Sequence, residues 1–242
     1  MLTLEEIFPP FGLRITCGDL ELRVLRDEDF PELVELYQGG ISAPGLPMPF
    51  LNAWHETPLA PGTPEGYPAS SLSWWWAPRS TFAPQHWNLA LAVRFRGELV
   101  GMQDLTARDF PVARSVSSGS WLGRAHHGQG MGTLMRQMAV GFAFDELDAL
   151  ACHSEYVVGN HASAAVSRKT GYVDNGRARI AQNTSDGGVG VEEQRVVVTP
   201  GTYVRPETPV TCEGTEALRR FFGVERPCDG AHHPMPPHPD GG

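Results

Sequence analysis

Between residues 127 and 133 the chain reads His127-Gly-Gln-Gly130-Met-Gly132-Thr133. Three glycines alternate with larger residues there, and no other stretch limits the possible folds so tightly. Before it, residues 115–123 alternate apolar positions with Ser and Gly, the pattern of a strand that a ligand approaches closely. After it, Leu134, Met135, Met138, Phe142 and Leu147 recur near helical spacing, with Arg136 and Gln137 expected on the opposite, polar side. A strand, a glycine turn and a helix in that order direct backbone N–H groups outward at the positive end of a helix macrodipole. Such a turn binds a polyanion, and a pyrophosphate suits it best.

Spacing decides which pyrophosphate motif this is. A P-loop needs Lys-Ser or Lys-Thr directly after its glycines, and the only Lys-Thr, Lys169-Thr170, lies elsewhere. A dinucleotide fingerprint counted from Gly128 would need glycine where Thr133 stands. The pattern [QR]-x-x-G-x-[GA] fits His127 to Gly132, with His127 in place of Arg or Gln. Here the chain resembles the GNAT superfamily of N-acyltransferases. A second stretch, Asn160-His-Ala-Ser163 through Gly171-Tyr172, resembles the RimJ/RimL-like signature N-x-x-S-x-x-x-x-x-x-G-[FY]. Read physically, Asn160 is an N-cap and Gly171 a C-terminal cap after the basic turn of Arg168 and Lys169. The resemblance covers roughly residues 15–200. Met48-Pro-Phe50 and Gly119-Ser-Trp-Leu-Gly123 are similar to a branch found in actinobacteria, some of whose members use succinyl-CoA.

The resemblance implies an α/β GNAT fold, a mixed central sheet splayed between its fourth and fifth strands with flanking helices. Acetyl-CoA or succinyl-CoA is the implied co-substrate, with no metal. Trp121, Leu122 and Gly123 would lie along the acyl-CoA arm, with the Leu122 amide as oxyanion donor. His127, Gly128, Gln129, Gly130, Met131, Gly132 and Thr133 would hold the phosphates. Ser163 would sit by the sulfur, Asn160 would orient it or the arm, and Tyr172 is the alternative proton donor. Asp104, Glu155 and His153 are the candidate bases. A succinyl carboxylate would call for Arg79, Arg108 or Arg124.

Length and composition bound the rest. The 242 residues, 41% of them apolar, suit one domain over 1–222, with a disordered Pro/His/Gly-rich tail at 223–242. His232, His233 and His238 in that tail are too broken by proline to make a metal site. A net charge of −9 argues against nucleic acid. Cys17, Cys152, Cys212 and Cys228 form no metal spacing or paired motif. With no signal peptide and no apolar run long enough for a bilayer, the reading is a reduced cytoplasmic protein with no membrane contact.

Along the chain, Asp19–Leu25 alternates as a strand, and Arg26-Asp-Glu-Asp29 opens a helix that Gly39-Gly40 stops. Residues 41–88 hold nine of the 21 prolines and five of the six tryptophans, an insertion long enough to bind something. A short helix is expected over 69–77. Phe50, Trp54 and Trp75 are candidate walls of an acceptor pocket, and an interface in a homodimer is an equal reading of the same aromatics. Residues 89–95 and 98–106 form a hairpin, with Gln103 facing acceptor or cavity and Asp104 facing the acceptor or a salt-bridge partner. Strands at 150–158, 172–180 and 192–199 and a helix at 215–222 complete the pattern.

The function expected is an N-acyltransferase moving an acetyl or succinyl group to a primary amine, on a small molecule or a protein, by direct attack in a ternary complex. A non-catalytic acyl-CoA-binding module is the alternative, separated by the absence of acceptor-dependent thiol release.

Overall fold

In Leu20-Glu-Leu-Arg-Val24 residues 20, 22 and 24 are buried and 21 and 23 are not, the alternation of a half-buried strand. The same logic, with helical spacing elsewhere, sets the element order. The computed structural model describes residues 1–42, 48–52, 54, 60–63, 66–184 and 187–224. Along them run α1 (Leu4–Ile7), β1 (Arg14–Cys17), β2 (Leu20–Val24), α2 (Phe30–Gln38), α3 (Ala69–Ser80), β3 (His86–Phe95), β4 (Glu98–Arg108) and α4 (Phe110–Ala113). There follow β5 (Ser115–Leu122), α5 (Met131–Asp145), β6 (Ala151–Val157), α6 (His161–Thr170), β7 (Val173–Thr184), β8 (Gly187–Val198), β9 (Thr211–Glu213) and α7 (Thr215–Phe222).

The strands form one sheet in the order β7-β8-β6-β5-β4-β3-β2-β1-β9. Every neighbouring pair is antiparallel except β5 and β6, which are parallel and pair only at Ser115↔Ala151, Val116↔Cys152 and Ser117↔His153. Beyond those pairs β5 runs to Leu122 and β6 to Val157 without each other. This is the expected splay. Two short strands lengthen the sheet at its far edge, β1 just before β2 and β9 just before α7. Counting β1, the splay falls between the fifth and sixth strands in chain order. The β3–β4 hairpin turns through Arg96 and Gly97, both at positive φ, as a two-residue hairpin requires.

One face of the sheet is covered by α5, whose Met135, Met138, Ala139 and Phe142 pack with Leu89, Leu91, Leu105 and Val116. Arg136 and Gln137 were expected on a solvent face of α5, and both are buried. Gln137 is buried by a second layer over the helix, where Tyr203 Oη donates to the Gln137 carbonyl at 2.7 Å and Gln137 Nε2 donates to the Val204 carbonyl at 3.0 Å. Arg136 is buried because it faces the sheet and meets Ser120 and Ser154. On the other face, Phe30 and Leu33 of α2 and Trp75 of α3 pack on Leu25, Ala92, Leu99 and Met102. The helix expected over 69–77 runs to Ser80, past Pro78. Of the expected tail, Val224 packs into the main core, and residues 225–242 lie outside the described residues.

The helix α6 is capped as its sequence indicates. Asn160 Oδ1 accepts from the Ser163 amide at 3.1 Å, and Gly171 takes φ +96° while its N–H turns back to the last carbonyls. A Cβ at Gly171 would also run into the Thr202 carbonyl. Gly171→Ala should therefore cost about 1–3 kcal/mol of stability. Urea unfolding of the two proteins checks this, and equal midpoints would contradict it.

Candidate active site

The site is built where the ladder between β5 and β6 stops. The Gly123 amide donates to the Val100 carbonyl of β4 at 2.9 Å. Peptide groups alternate direction along a strand, so the amide of Leu122 points to the other edge of β5. That is the edge β6 has left. The Leu122 carbonyl accepts from His127 Nε2 at 3.0 Å. His127, where the motif usually has Arg or Gln, thus ties the glycine loop back to the strand end with its side chain.

The loop then opens outward. Gly128 and Gly130 have φ +74° and +84°, and a Cβ on either would meet nothing within 4 Å. Gly130 caps α5 without any side-chain hydrogen bond, and its carbonyl accepts from Thr133 and Leu134. Among the described residues no backbone carbonyl takes the amides of residues 128–132. Those N–H groups and the helix dipole are available to an anion. Gln129 holds the turn by donating to the Ala125 carbonyl at 2.9 Å. Gly132 brings three elements together: a Cβ there would lie 3.6 Å from both Leu122 of β5 and Val166 of α6. Ser163, one turn before Val166, is partly buried on the same helix.

Directly opposed residues of an antiparallel pair share a face. Asp104 lies opposite Gly119 of β5 and Ala90 of β3, and Met102 opposite Trp121. Asp104 therefore stands on the face of α2 and α3, between two small neighbours. Its Oδ1 is buried without a hydrogen-bond partner. Burial pushes the carboxyl up to about 7, against the pull of the Arg136 charge. By alternation, His153 and Glu155 of β6 occupy that same face. Burial and the neighbouring Glu193 raise Glu155, while Arg136 and Arg195 lower it. Glu193 itself is buried and pairs with Arg195 at 3.1 Å.

Above this floor the insertion supplies an aromatic wall. Trp54 packs on Phe50 with centroids 5.1 Å apart, on Trp121 at 5.5 Å and on Tyr37 at 6.1 Å, and Tyr37 stacks on Tyr67 at 4.0 Å. The segment is pinned from the far side of the sheet. Gln182 of β7 donates to the carbonyls of Met48 and Phe50 at 3.0 and 2.7 Å, and the Asn183 amide to that of Leu51 at 2.8 Å.

Phe50, Trp54 and Trp121 are thus brought together with Asp104 on the same face of the sheet, whereas Trp75, Gln103, Tyr172 and Arg79 are not at the site. Trp75 is buried in the apolar cluster of α2 and α3, because its neighbours Trp74 and Trp76 take the exposed sides of the helix. Gln103 is fully buried on the α5 face, where its Nε2 donates to the Asp104 and Gly119 carbonyls at 3.0 and 2.9 Å. It braces two strands rather than meeting an acceptor. The Tyr172 hydroxyl is buried between Ser118 Oγ at 2.9 Å and Cys152 Sγ at 3.1 Å, which withdraws it from proton donation. Arg79 is committed to Asp27 at 2.7 Å, whereas Arg108 and Arg124 are exposed. Sequence reasoning missed Arg136, Ser120 and Ser154, which meet across the splay. Their signal was an arginine in an otherwise apolar helix face and serines at the inward positions of two apolar strands. Among the described residues no group of three His, Cys, Asp or Glu side chains is gathered for a metal, and no helix is long and apolar enough to cross a membrane.

Comparison with known proteins supplies the remaining facts. The family described as acetyltransferase (GNAT) domain matches residues 19–173. A Bacillus subtilis protein, YdaF, named for a ribosomal N-acetyltransferase assignment, is 32% identical over 85 residues, 35% of this chain. The match spans 46% of that relative's length. Mycobacterium smegmatis RimJ, solved with CoA-disulfide, superposes with a TM-score of 0.61 at 17% identity over 86% of this chain and 92% of its own. RimL, a ribosomal L7/L12 α-N-protein acetyltransferase solved with coenzyme A, gives 0.57 at 18% identity over 73% and 93%.

The raised carboxyl of Asp104 makes a pH-dependent prediction. An aspartate in the unfolded chain titrates near about 3.9. With the folded value at about 7, the native state binds the extra proton between these values. The group's contribution is fully present below about pH 4 and is lost as pH rises through about 7. Asp104→Asn removes that loss. Relative to wild type the variant should gain on the order of 2–4 kcal/mol between about pH 4 and pH 8. Urea unfolding at both pH values measures this, and a stability difference independent of pH would refute it.

Proposed function

This chain belongs to the acetyltransferase (GNAT) domain family, and from that premise we propose that it transfers an acetyl group from acetyl-CoA to a primary amine by direct attack. The observation that carries the reading is the open run of amides from Gly128 to Gly132 beside the outward-facing amide of Leu122. The loop amides and the α5 dipole take the pyrophosphate. The arm then runs into the gap along β5, where the Leu122 amide donates to the thioester carbonyl and, more strongly, to the oxyanion formed on attack. One preorganised donor of this kind contributes about 3 kcal/mol to the transition state.

Asp104 is the base that fits. An amine with a pKa of about 8–10 must give up its proton to attack, and a carboxyl poised at about 7 is close to the value that serves proton transfer best at neutral pH. Glu155 and His153 line the same face and complete the polar floor. The nitrogen–carbon bond forms, the carbon–sulfur bond breaks, and the second proton of the amine goes to the departing thiolate. Ser163, held at the first turn of α6 by the Asn160 cap, donates a hydrogen bond to that sulfur. A hydroxyl is too weak an acid to be the main proton source.

Phe50, Trp54 and Trp121 form an apolar seat for the acceptor next to the reacting carbon. The names of YdaF and RimL point to ribosomal proteins as acceptors of those relatives, and a protein α-amine is the acceptor class we assign to this chain. The donor we assign is acetyl-CoA, the acyl donor of the family. Of the arginines that could take a succinyl carboxylate, Arg79 is paired with Asp27, and acceptor-dependent release with succinyl-CoA would bring in Arg108 or Arg124.

The test uses acetyl-CoA and succinyl-CoA with a peptide bearing a free α-amine and, separately, a diamine, following thiol release. Acceptor-dependent release is expected with acetyl-CoA and the peptide. Ser163→Ala should lower kcat by about 10–100-fold, the worth of one hydrogen bond to a charged atom, with acetyl-CoA affinity nearly unchanged. An unaltered kcat would take Ser163 out of the mechanism. Tight acetyl-CoA binding without release to either acceptor would leave a binding module.

A further inference from the structure

Arg136 is 4% exposed, on the face of α5 that meets the splay. Its Nη1 donates to Ser154 Oγ of β6 at 3.0 Å and its Nη2 to Ser120 Oγ of β5 at 2.7 Å. Ser154 Oγ donates onward to the Ser118 carbonyl at 2.8 Å. The guanidinium therefore joins the two strands just past the last backbone pair between them. Nε is buried with no acceptor. Among the described residues no carboxylate lies within ion-pairing distance of Arg136, whereas the equally buried Arg219 meets Asp148 at 2.7 Å. Burying a guanidinium without a paired acid is costly, and two serine hydroxyls are a weak return for it.

The register shows what the charge faces. Ser118 and Ser120 flank Gly119, and Gly119 lies directly opposite Asp104. Glycine leaves a window there: a Cβ at Gly119 would meet nothing within 4 Å. Gln103 closes the same stretch from below by donating to the Gly119 carbonyl.

We propose that Arg136 is a positioning residue for acyl transfer: it pins β5 and β6 where they part and sets a buried positive charge behind the Asp104 carboxylate. The proposal rests on the reading of Asp104 as the base. The ionisable groups that share the face of Asp104 farther across the sheet are His153 and Glu155 from β6, and Glu193 with Arg195 from β8. At the register of Asp104 itself, β3 and β5 present only Ala90 and Gly119. On α3, Arg79 is paired with Asp27. The Arg136 charge favours the ionised form of Asp104. Without it, burial alone would keep the carboxyl protonated through neutral pH.

The test follows the carboxyl directly. The full chain is labelled with aspartate carrying carbon-13 at Cγ and titrated by NMR, with Asp104→Asn assigning the resonance. Arg136→Met should move the Asp104 midpoint up by about one pH unit or more. The acid limb of the acetyl-CoA-dependent rate with the α-amine peptide should move with it. Arg136→Lys, which keeps the charge, should stay much closer to wild type. If Arg136→Met does not fold, the double variant Ser120→Ala with Ser154→Ala leaves the guanidinium unanchored and should shift the midpoint in the same direction. An unmoved midpoint, or equal shifts in the Met and Lys variants, overturns the proposal. An Asp104→Asn protein with an unchanged rate would instead sink the base assignment, a result the NMR midpoints keep separate.

Discussion

Parallel strands that pair for three residues and then diverge leave backbone groups with nowhere to go, and the rest of this protein follows from how β5 and β6 meet that demand. Near the divergence the side chains take over. Ser154 reaches the Ser118 carbonyl, and Arg136 joins Ser154 to Ser120. Farther along, His127 takes the Leu122 carbonyl, and the Leu122 amide faces the gap. The polar bridges keep the strands from closing or drifting. The amide beyond them is the group a thioester carbonyl would meet.

Everything else is arranged around that opening. The glycine loop stands at its mouth, anchored by His127 to the strand end and leading into the buried helix α5. Gly132 lets β5, α5 and α6 converge, so the cap of α6 sets Ser163 beside the same edge. On the opposite face the sheet turns from apolar to acidic at Asp104, Glu155 and Glu193. The insertion covers that floor with aromatics and is tied down by Gln182 and Asn183 from the last hairpin. The cost of the arrangement is visible at Asp104, a half-buried residue between two small neighbours whose Oδ1 is buried and left unbonded. A stable core would not place it there, whereas a base near neutrality requires such surroundings.

Much of this was legible in the sequence because it rests on backbone physics. Gly128, Gly130 and Gly132 before a periodic apolar stretch can do little except open a helix N-terminus, and Asn160 and Gly171 bracket α6 by capping rules that need no tertiary knowledge. Asp104 was readable as a carboxylate in an apolar strand. What escaped depended on the partner surfaces of each element. Arg136 and Gln137 read as polar-side residues because nothing local announces that serines of β5 and β6 meet the first and that residues 203–204 return to cover the second. Gln103 and Trp75 were assigned to the acceptor side because their faces depend on strand register and helix phase, which periodicity leaves open. Tyr172 looked available until Ser118 and Cys152, distant in sequence, were found on either side of its hydroxyl. The clamp of Gln182 onto Met48 and Phe50 joins residues too far apart for any pattern to connect.

The central claim is that the glycine loop and the gap together hold an acyl-CoA. Calorimetric titration of the full chain with acetyl-CoA, free coenzyme A and NAD tests it most directly, with Gly130→Asp as the variant that puts a carboxylate into the loop. The account predicts binding of acetyl-CoA and coenzyme A, no comparable binding of NAD, and a loss of at least about 100-fold in the variant, in keeping with a negative charge set against a pyrophosphate site. Binding of NAD alone, or coenzyme A affinity untouched by Gly130→Asp, would contradict it.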